Sequence, residues 1–264
     1  MTVSKADDNA VDSAASRAFV DQYGKRATEL PPLAIVIAAY NEEGAIGPVV
    51  EALPSVISGL EVAKVVVSDG SVDSTVKDAE AAGALVCDVP VNRGQGAALR
   101  LGYRLAREGG AKYIVTTDAD GQYNPSEIEA LLAPILAGQA DFVTGSRTMG
   151  SEETKDPVRK LGVRVFAIVI SALTGQKISD TTFGLRAMRS EVTGAVLLEQ
   201  PQYQAAELLI GVITHGYKVV EVPATIHKRQ VGHSKKGRNT TYALHFIGVI
   251  CRTWLRERQR RARG

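Results

Sequence analysis

The sequence predicts an α/β fold, a mostly parallel sheet flanked by helices. Two observations carry that prediction. Four short, continuous apolar runs recur at Leu33–Ala39, Ala63–Val67, Tyr113–Thr116 and Asp141–Thr144; such runs mark strands buried on both faces. Among them lie helical patterns over Val49–Ile57, Ser74–Ala82, Ala97–Arg107 and Pro125–Leu136. Strand alternating with helix implies βαβ units and a parallel sheet.

Taken in order, Met1 to about Leu30 is polar and aperiodic, so residues 1–30 are expected to be a flexible segment or a loosely attached helix. Residues 31–238, opened by Pro31-Pro32, read as one domain without internal repeats or low-complexity linkers. Asn124-Pro125-Ser126-Glu127 reads as a helix start, with Asn as N-cap, Pro at the first position and Glu in the first turn. After Gly145 the alternation ends. Ser146–Asp156 reads as a polar loop, Arg159–Leu173 as an apolar helix, and the chain to about Arg229 as mixed helix and strand. Residues 239–264 read as a basic amphipathic helix, Thr241–Arg258, with a tail.

The 264 residues are 45% apolar and 23% charged, the profile of a soluble globular protein with an ordinary core. Cys87 and Cys251 show no zinc or disulfide spacing. The first 29 residues lack a signal-peptide apolar region. No run reaches the roughly 18 to 20 apolar residues needed to span a bilayer, so a cytoplasmic protein is expected. The net charge of +2 hides an asymmetry: His227–Gly264 holds eleven Lys or Arg against one acidic residue, Glu257, while the remainder has 20 basic and 28 acidic residues. That points either to an anionic partner for the C-terminal end or to a solvated basic tail. No aromatic interleaving or reading motif supports nucleic acid.

Ligands bind open parallel sheets at the carboxyl ends of strands. Those ends carry Tyr40-Asn41-Glu42-Glu43-Gly44, then Ser68-Asp69-Gly70-Ser71, then Asp118-Ala119-Asp120-Gly121-Gln122. Acidic clusters at one edge repel each other unless a cation or hydrogen-bond donors bind there. Alternate carboxylates at a strand end, Asp118 and Asp120, suit a hard divalent cation, Mg²⁺ or Mn²⁺, and Gln122 can add a neutral oxygen. The alternative is that the pair caps a turn or helix. A dinucleotide-binding dehydrogenase needs GxGxxG directly after the first strand; YNEEG stands there instead.

Together, YNEE, SDGSVDST, NRGQGAAL, DADGQ, GSR and the late RQVGHSKK, spread in order from Leu33 to Lys236, resemble glycosyltransferase family 2. In particular they resemble its polyprenyl-phosphate (dolichyl-phosphate) mannose and glucose synthases. The resemblance implies a GT-A fold with a Rossmann-like sheet, and inverting transfer of a hexose from a nucleotide-sugar, GDP- or UDP-linked. It implies that Tyr40, Glu42 and Asp69 line the nucleoside pocket, with Ala39, Gln95 and Asp118 completing the donor-binding set. Asp118, Asp120 and Gln122 are then the metal ligands. Asp69 can equally stabilise an Asx-type turn, and Glu42 can cap the following helix. In the second half, Gly145-Ser146-Arg147, Arg159-Lys160, Arg164, Asp180–Gly184 and Arg229–Lys235 resemble the acceptor half of lipid-phosphate synthases.

A polyprenyl monophosphate is already an anionic nucleophile near neutral pH, so it needs cations to position it rather than a strong general base. Arg147, Arg229 and Lys235 are the acceptor-phosphate candidates, with Ser234 and Arg164 in support, and the same three cations join Asp120 as catalytic candidates. Ordinary surface cations are the other reading. Three departures from the family pattern stand out: Ser68 where many relatives have Asp, Gln95 where Lys is frequent, and Phe183 where a smaller residue is usual.

Near Val163–Leu173 the helix is almost wholly apolar, and over Thr241–Leu255 the residues Ala243, Phe246, Ile247, Ile250 and Trp254 fall near one face. A basic amphipathic helix can lie in a membrane interface with Trp at headgroup level, or pack on its own core. The former predicts peripheral attachment to an anionic cytoplasmic membrane face, with or without a small membrane protein partner. Two further function classes stay open: transfer to a soluble acceptor, and a non-catalytic nucleotide-sugar-binding adaptor.

Overall fold

The computed structural model describes residues 5–153, 157–228 and 240–263. In chain order the elements begin α1 (Lys5–Tyr23), α2 (Lys25–Thr28), β1 (Leu33–Ala39), α3 (Ile46–Ala52), β2 (Val56–Ile57) and β3 (Leu60–Asp69). They continue α4 (Thr75–Ala81), β4 (Leu85–Val89), α5 (Gln95–Glu108), β5 (Tyr113–Asp118), a 3₁₀ turn (Pro125–Glu127), α6 (Ile128–Leu136) and β6 (Phe142–Glu152). The last are α7 (Pro157–Thr174), β7 (Arg186–Arg189), α8 (Ser190–Ala195), α9 (Gln204–Thr214), β8 (Val219–Ile226) and α10 (Thr240–Arg263).

The sheet runs β2-β3-β1-β5-β7-β6-β8, with β4 beside β3. β3, β1 and β5 are parallel, as expected, and β4 joins them in the same direction. β7 runs antiparallel to both β5 and β6, and β6 pairs parallel with β8, so the whole sheet is mixed. Strand alternation divides the core. Leu33, Ile35 and Ile37 of β1 pack with α3 and α6, while Ala34 and Val36 pack with α5 and α9. The register sets Ala39 beside Ser68 and Ala38 beside Asp118, which aligns the carboxyl ends of β1, β3 and β5.

Four elements depart from the expectations. The helix expected over Val49–Ile57 ends at Ala52, because Pro54 follows and Val56–Ile57 instead pairs with β3. Leu85–Val89, outside the four apolar runs, forms β4 because β3 offers it a parallel edge. Ser146–Glu152, expected as a loop, extends β6 and rejoins β8 after a bulge, at Ser151 opposite Thr225. The N-terminal stretch is not loose over its described length: Ala15 and Phe19 of α1 are buried with Val65, Leu85 and Cys87. That burial pushes the Cys87 thiol up to about 12, an inert group at neutral pH.

α10 also settles on the protein. Phe246 and Ile250 are 2% and 0% exposed, and both lie in the core with Phe166 and Ile170 of α7 and Leu208 of α9. Arg256 then ties α10 to Glu199 and Glu207 at 2.7 and 2.9 Å. The face expected to meet a membrane is therefore the core-packing alternative. α7 behaves differently. Val163, Phe166, Ala167 and Ile170 are buried, while Leu161, Val165 and Ile168 on the other side are 63%, 38% and 68% exposed. No helix among the described residues is long and apolar enough to cross a membrane.

Candidate active site

The three parallel strand ends bring their acidic residues to one edge, and each carboxylate then meets different company. Asp69, closing β3, is 2% exposed. Its carboxylate accepts the amide of Arg93 at 3.0 and 3.1 Å and that of Gly94 at 2.7 Å. Burial raises its pKa, with the two amides and the Arg93 charge opposing. Asp69 thus shapes the loop that carries Arg93 and Gly94 through its side chain. Glu42 is half-buried; its amide donates to Thr75 Oγ1 at 2.8 Å, and its carbonyl accepts the amides of Ala45 and Ile46 at 3.0 Å. Tyr40 is 38% exposed at the mouth of the edge, where its ring offers a stacking surface, while Ala39 is buried in β1.

Asp118 and Asp120 line one cavity of about 350 Å³ with Ala45, Tyr123, Leu185 and His227. Tyr40, Glu42, Asp69 and Gln95 do not line it; its other walls come from α3, with Pro48 and Val49, and from the 3₁₀ turn and the start of α6, with Pro125 and Ile128. Gln95 Nε2 donates to Asp118 Oδ1 at 3.1 Å, which ties the helix α5 start to the carboxylate. Asp120, 8% exposed, accepts the amide of Gln122 at 3.1 Å. Gln122 Nε2 donates to the His227 carbonyl at 2.9 Å, so its amide locks the end of β8 to the acidic turn. Tyr123 is half-buried, and its hydroxyl accepts the amide of Gly184 at 2.8 Å. Burial, then the Asp118 charge, raises its pKa well above the ordinary value.

The donor set suits a divalent cation of the Mg²⁺ type. Two hard carboxylates from alternate positions face one cavity, and such ions commonly take one or two carboxylates and complete their shell with phosphate and water. Among the described residues no group of three His, Cys, Asp or Glu side chains is placed to hold a metal.

On the second half of the site the cations are arranged otherwise. Arg147 has a side chain only 4% exposed; Nε lies 2.6 Å from Asp180 and Nη1 3.5 Å from Glu152. Its Nη2 donates to Thr182 Oγ1 at 3.0 Å, and its guanidinium lies over the Phe183 ring at 5.7 Å. Asp180 is held in turn by the amide of Thr182, and the amides of Ser179 and Asp180 donate to Glu221. The Arg147 charge is therefore paired inside the protein with Asp180 and Glu152. Arg164 lies on the exposed side of α7. Arg229, Ser234 and Lys235 lie outside the described residues.

Sequence reasoning missed the partners that organise this site. Asp180 stood within a flagged motif, but its pairing with Arg147, and the roles of Glu152 and Glu221, depend on strand pairing across β6, β7 and β8. His227 has no ligand spacing in sequence, yet it reaches the acidic cavity from the end of β8. A glycine supplied a signal at 184: a Cβ there would stand 2.7 Å from Asp118 Oδ2 and 2.8 Å from the Tyr123 hydroxyl. The 180–184 loop closes on Asp118 because that residue has no side chain.

Residues 34–197 match the family described as "Glycosyl transferase family 2". A dolichyl-phosphate hexose transferase of Haloferax volcanii is 34% identical over 197 residues, covering 75% of this chain and 83% of that protein. A polyprenol monophosphomannose synthase of Mycolicibacterium smegmatis is 32% identical over 256 residues, 87% of this chain and 89% of that one. Among solved structures, glucosyl-3-phosphoglycerate synthase from Mycobacterium tuberculosis, in complex with Mn²⁺, UDP and phosphoglyceric acid, superposes with a TM-score of 0.66 at 20% identity. That match covers 90% of this chain and 82% of that one, and the shared architecture is the GT-A fold.

Proposed function

The chain belongs to glycosyl transferase family 2, and from that premise we propose that it transfers a hexose from a nucleotide-sugar to a polyprenyl phosphate, with inversion at the anomeric carbon. The donor is GDP-mannose or a UDP-sugar. The observation that carries the reading is Asp118 and Asp120 facing one cavity at the carboxyl end of β5. These two would hold a divalent cation, Mg²⁺ or Mn²⁺, which when bound supplies Lewis acidity to the departing diphosphate. Gln95 orients Asp118, and the exposed Tyr40 ring offers a face to the base. Asp69 fixes the loop between them. Gln122, placed among the metal ligands by resemblance, serves here as the tie between the acidic turn and β8.

In the transfer itself a phosphate oxygen of the acceptor forms the new bond to the anomeric carbon. The bond from that carbon to the donor diphosphate breaks, and its electron pair leaves on the nucleoside diphosphate. The acceptor oxygen is already anionic near neutral pH, so no general base is required. Arg229, Ser234 and Lys235 are assigned to hold that phosphate. Arg147 is assigned a positioning role, bracing the 180–184 loop against Asp118 through Asp180 and Thr182. The names of relatives that match most of this chain support the polyprenyl phosphate class.

A lipid acceptor requires contact with a bilayer, and α7 is the surface we assign to it. Leu161, Val165 and Ile168, at helical spacing, form an exposed apolar stripe with Lys160 and Arg164 beside it. That pattern suits an anionic cytoplasmic leaflet. The buried face of α10 leaves this role to α7.

A second reading is transfer to a soluble acceptor, favoured by the likeness in fold to a synthase whose structure contains phosphoglyceric acid. One assay separates the two. With labelled GDP-mannose and UDP-sugars, Mg²⁺ and a polyprenyl phosphate, label should move into the organic phase. Label confined to water-soluble products would overturn the lipid acceptor.

A further inference from the structure

We propose that Asp12 of helix α1 is a positioning residue for the donor-side loop 92–95 and thereby sets nucleotide affinity. The inference rests on the donor edge assigned above, but α1 lies outside the residues that match the family, 34–197. Asp12 is 3% exposed on a helix whose Ala15 and Phe19 are also buried. Its Oδ1 stands 2.6 Å from Arg93 Nη2, with side-chain exposures of 5% and 2%, and its Oδ2 stands 3.8 Å from Arg100 Nε. Removing Asp12 takes a buried carboxylate away from both guanidinium groups.

Arg93 is consequently held at both ends. Its amide donates to Asp69 at the end of β3, and its guanidinium is fixed from behind by Asp12. Two residues later Gln95 donates to Asp118. On its far side the loop is confined as well, because the amide of Gly96 donates to the Pro201 carbonyl at 2.9 Å. A Cβ at position 96 would lie 1.9 Å from the Gln200 carbonyl oxygen. With one wall made by 200–201, the lateral position of the loop depends on the ion pair opposite. An α1 held only for bulk stability would need Ala15 and Phe19; Asp12 instead reaches the loop whose amides bond Asp69 and which leads into Gln95, a donor to Asp118.

The same helix supplies its own control. Arg104 Nη2 donates to the Asp12 carbonyl at 2.9 Å and to Ser16 Oγ at 2.6 Å. It anchors α1 to α5 without touching the loop. Amide exchange at Arg93 and Gly94, together with titration of GDP and UDP in Mn²⁺, should be measured on Asp12→Ala, Asp12→Asn and Arg104→Ala.

Both Asp12 variants should speed exchange at the two amides and weaken the bound nucleotide by about tenfold, with a smaller change in turnover at saturating donor. Arg104→Ala should lower the melting temperature yet leave loop exchange and affinity within about twofold. If Asp12→Ala fails to fold, the charge-swapped pair Asp12→Arg with Arg93→Asp should recover affinity relative to Arg93→Asp alone. Unchanged loop exchange in Asp12→Asn, an equal loss of affinity in Arg104→Ala, or no recovery by the swap would each overturn the proposal. Absence of nucleotide binding in the unmodified protein would instead count against the donor reading, since loop exchange reports the bracing by itself.

Discussion

The donor edge and the acceptor half of this molecule treat charge in opposite ways. At the edge proposed to take the donor, parallel strands end in register and bring Asp69, Asp118 and Asp120 together, with backbone amides and Gln95 among their protein donors. Asp118 and Asp120 line a cavity there. In the acceptor half, an arginine that reads in sequence as a phosphate ligand is enclosed by Asp180 and Glu152. The difference teaches that a charged motif acquires its role from its neighbours: the acidic residues face a cavity, whereas Arg147 faces carboxylates.

The contrast can be broken most forcefully on the donor side. Asp120→Ala should lower turnover by about 10²–10³-fold while keeping the fold, because the divalent cation proposed to offset charge on the leaving diphosphate would lose one of its two carboxylate ligands. Steady-state rates alongside circular dichroism check both halves of that statement. Full activity in the variant, or in EDTA, would remove the metal assignment.

On the acceptor side the largest effect should fall on stability. Asp180→Ala leaves the Arg147 guanidinium buried beside a single carboxylate at 3.5 Å, and the loss should be about 3–5 kcal/mol by chemical denaturation. A loss below about 1 kcal/mol would mean that Arg147 rehydrates, as an open phosphate ligand would.

Much of the donor edge was legible in the sequence, because continuous apolar runs locate buried parallel strands and ligands gather at their ends. Asp118 and Asp120 needed only that rule. The acceptor half was less legible, since its strands pair out of order. β7 inserts antiparallel between β5 and β6, and no local pattern announces that Asp180 will meet Arg147. The two apolar helices show the same limit. Periodicity gave both α7 and α10 an apolar face, but which face the core claims depends on α9, whose Leu208 and Leu209 are buried with Phe246 and Ile250. Asp12 was hidden for a related reason: one buried carboxylate in a polar helix has no periodic signature.

A third test sharpens the contrast between the helices. Ile168→Glu on the exposed side of α7 should change stability by no more than about 0.5 kcal/mol, yet reduce sedimentation with anionic vesicles of phosphatidylserine. Unchanged sedimentation would move membrane contact away from α7. By comparison, Ile250→Ala on α10 should cost about 2–5 kcal/mol.

The smallest expected effect is on pH dependence. Burial opposes ionisation of Asp73, but hydrogen bonds from the Thr75 side chain and amide and from the Glu43 amide outweigh it and lower its pKa below the ordinary 3.8. A depressed carboxylate stabilises the fold above its unfolded pKa and loses that contribution as pH falls through the folded value. Asp73→Asn should therefore match the parent protein in stability well below pH 3.8 and be the weaker of the two above it. A constant difference across that range would contradict the assignment.

The claim that Asp118 and Asp120 form a cation-dependent donor site is tested most directly by calorimetric titration of GDP and UDP. Each nucleotide should be added to the unmodified protein in Mn²⁺, to the same protein in EDTA, and to Asp120→Ala in Mn²⁺. One nucleotide should bind in the first case and at least about tenfold more weakly in the other two. Equal affinity in all three, or no binding of either nucleotide in Mn²⁺, would contradict the account.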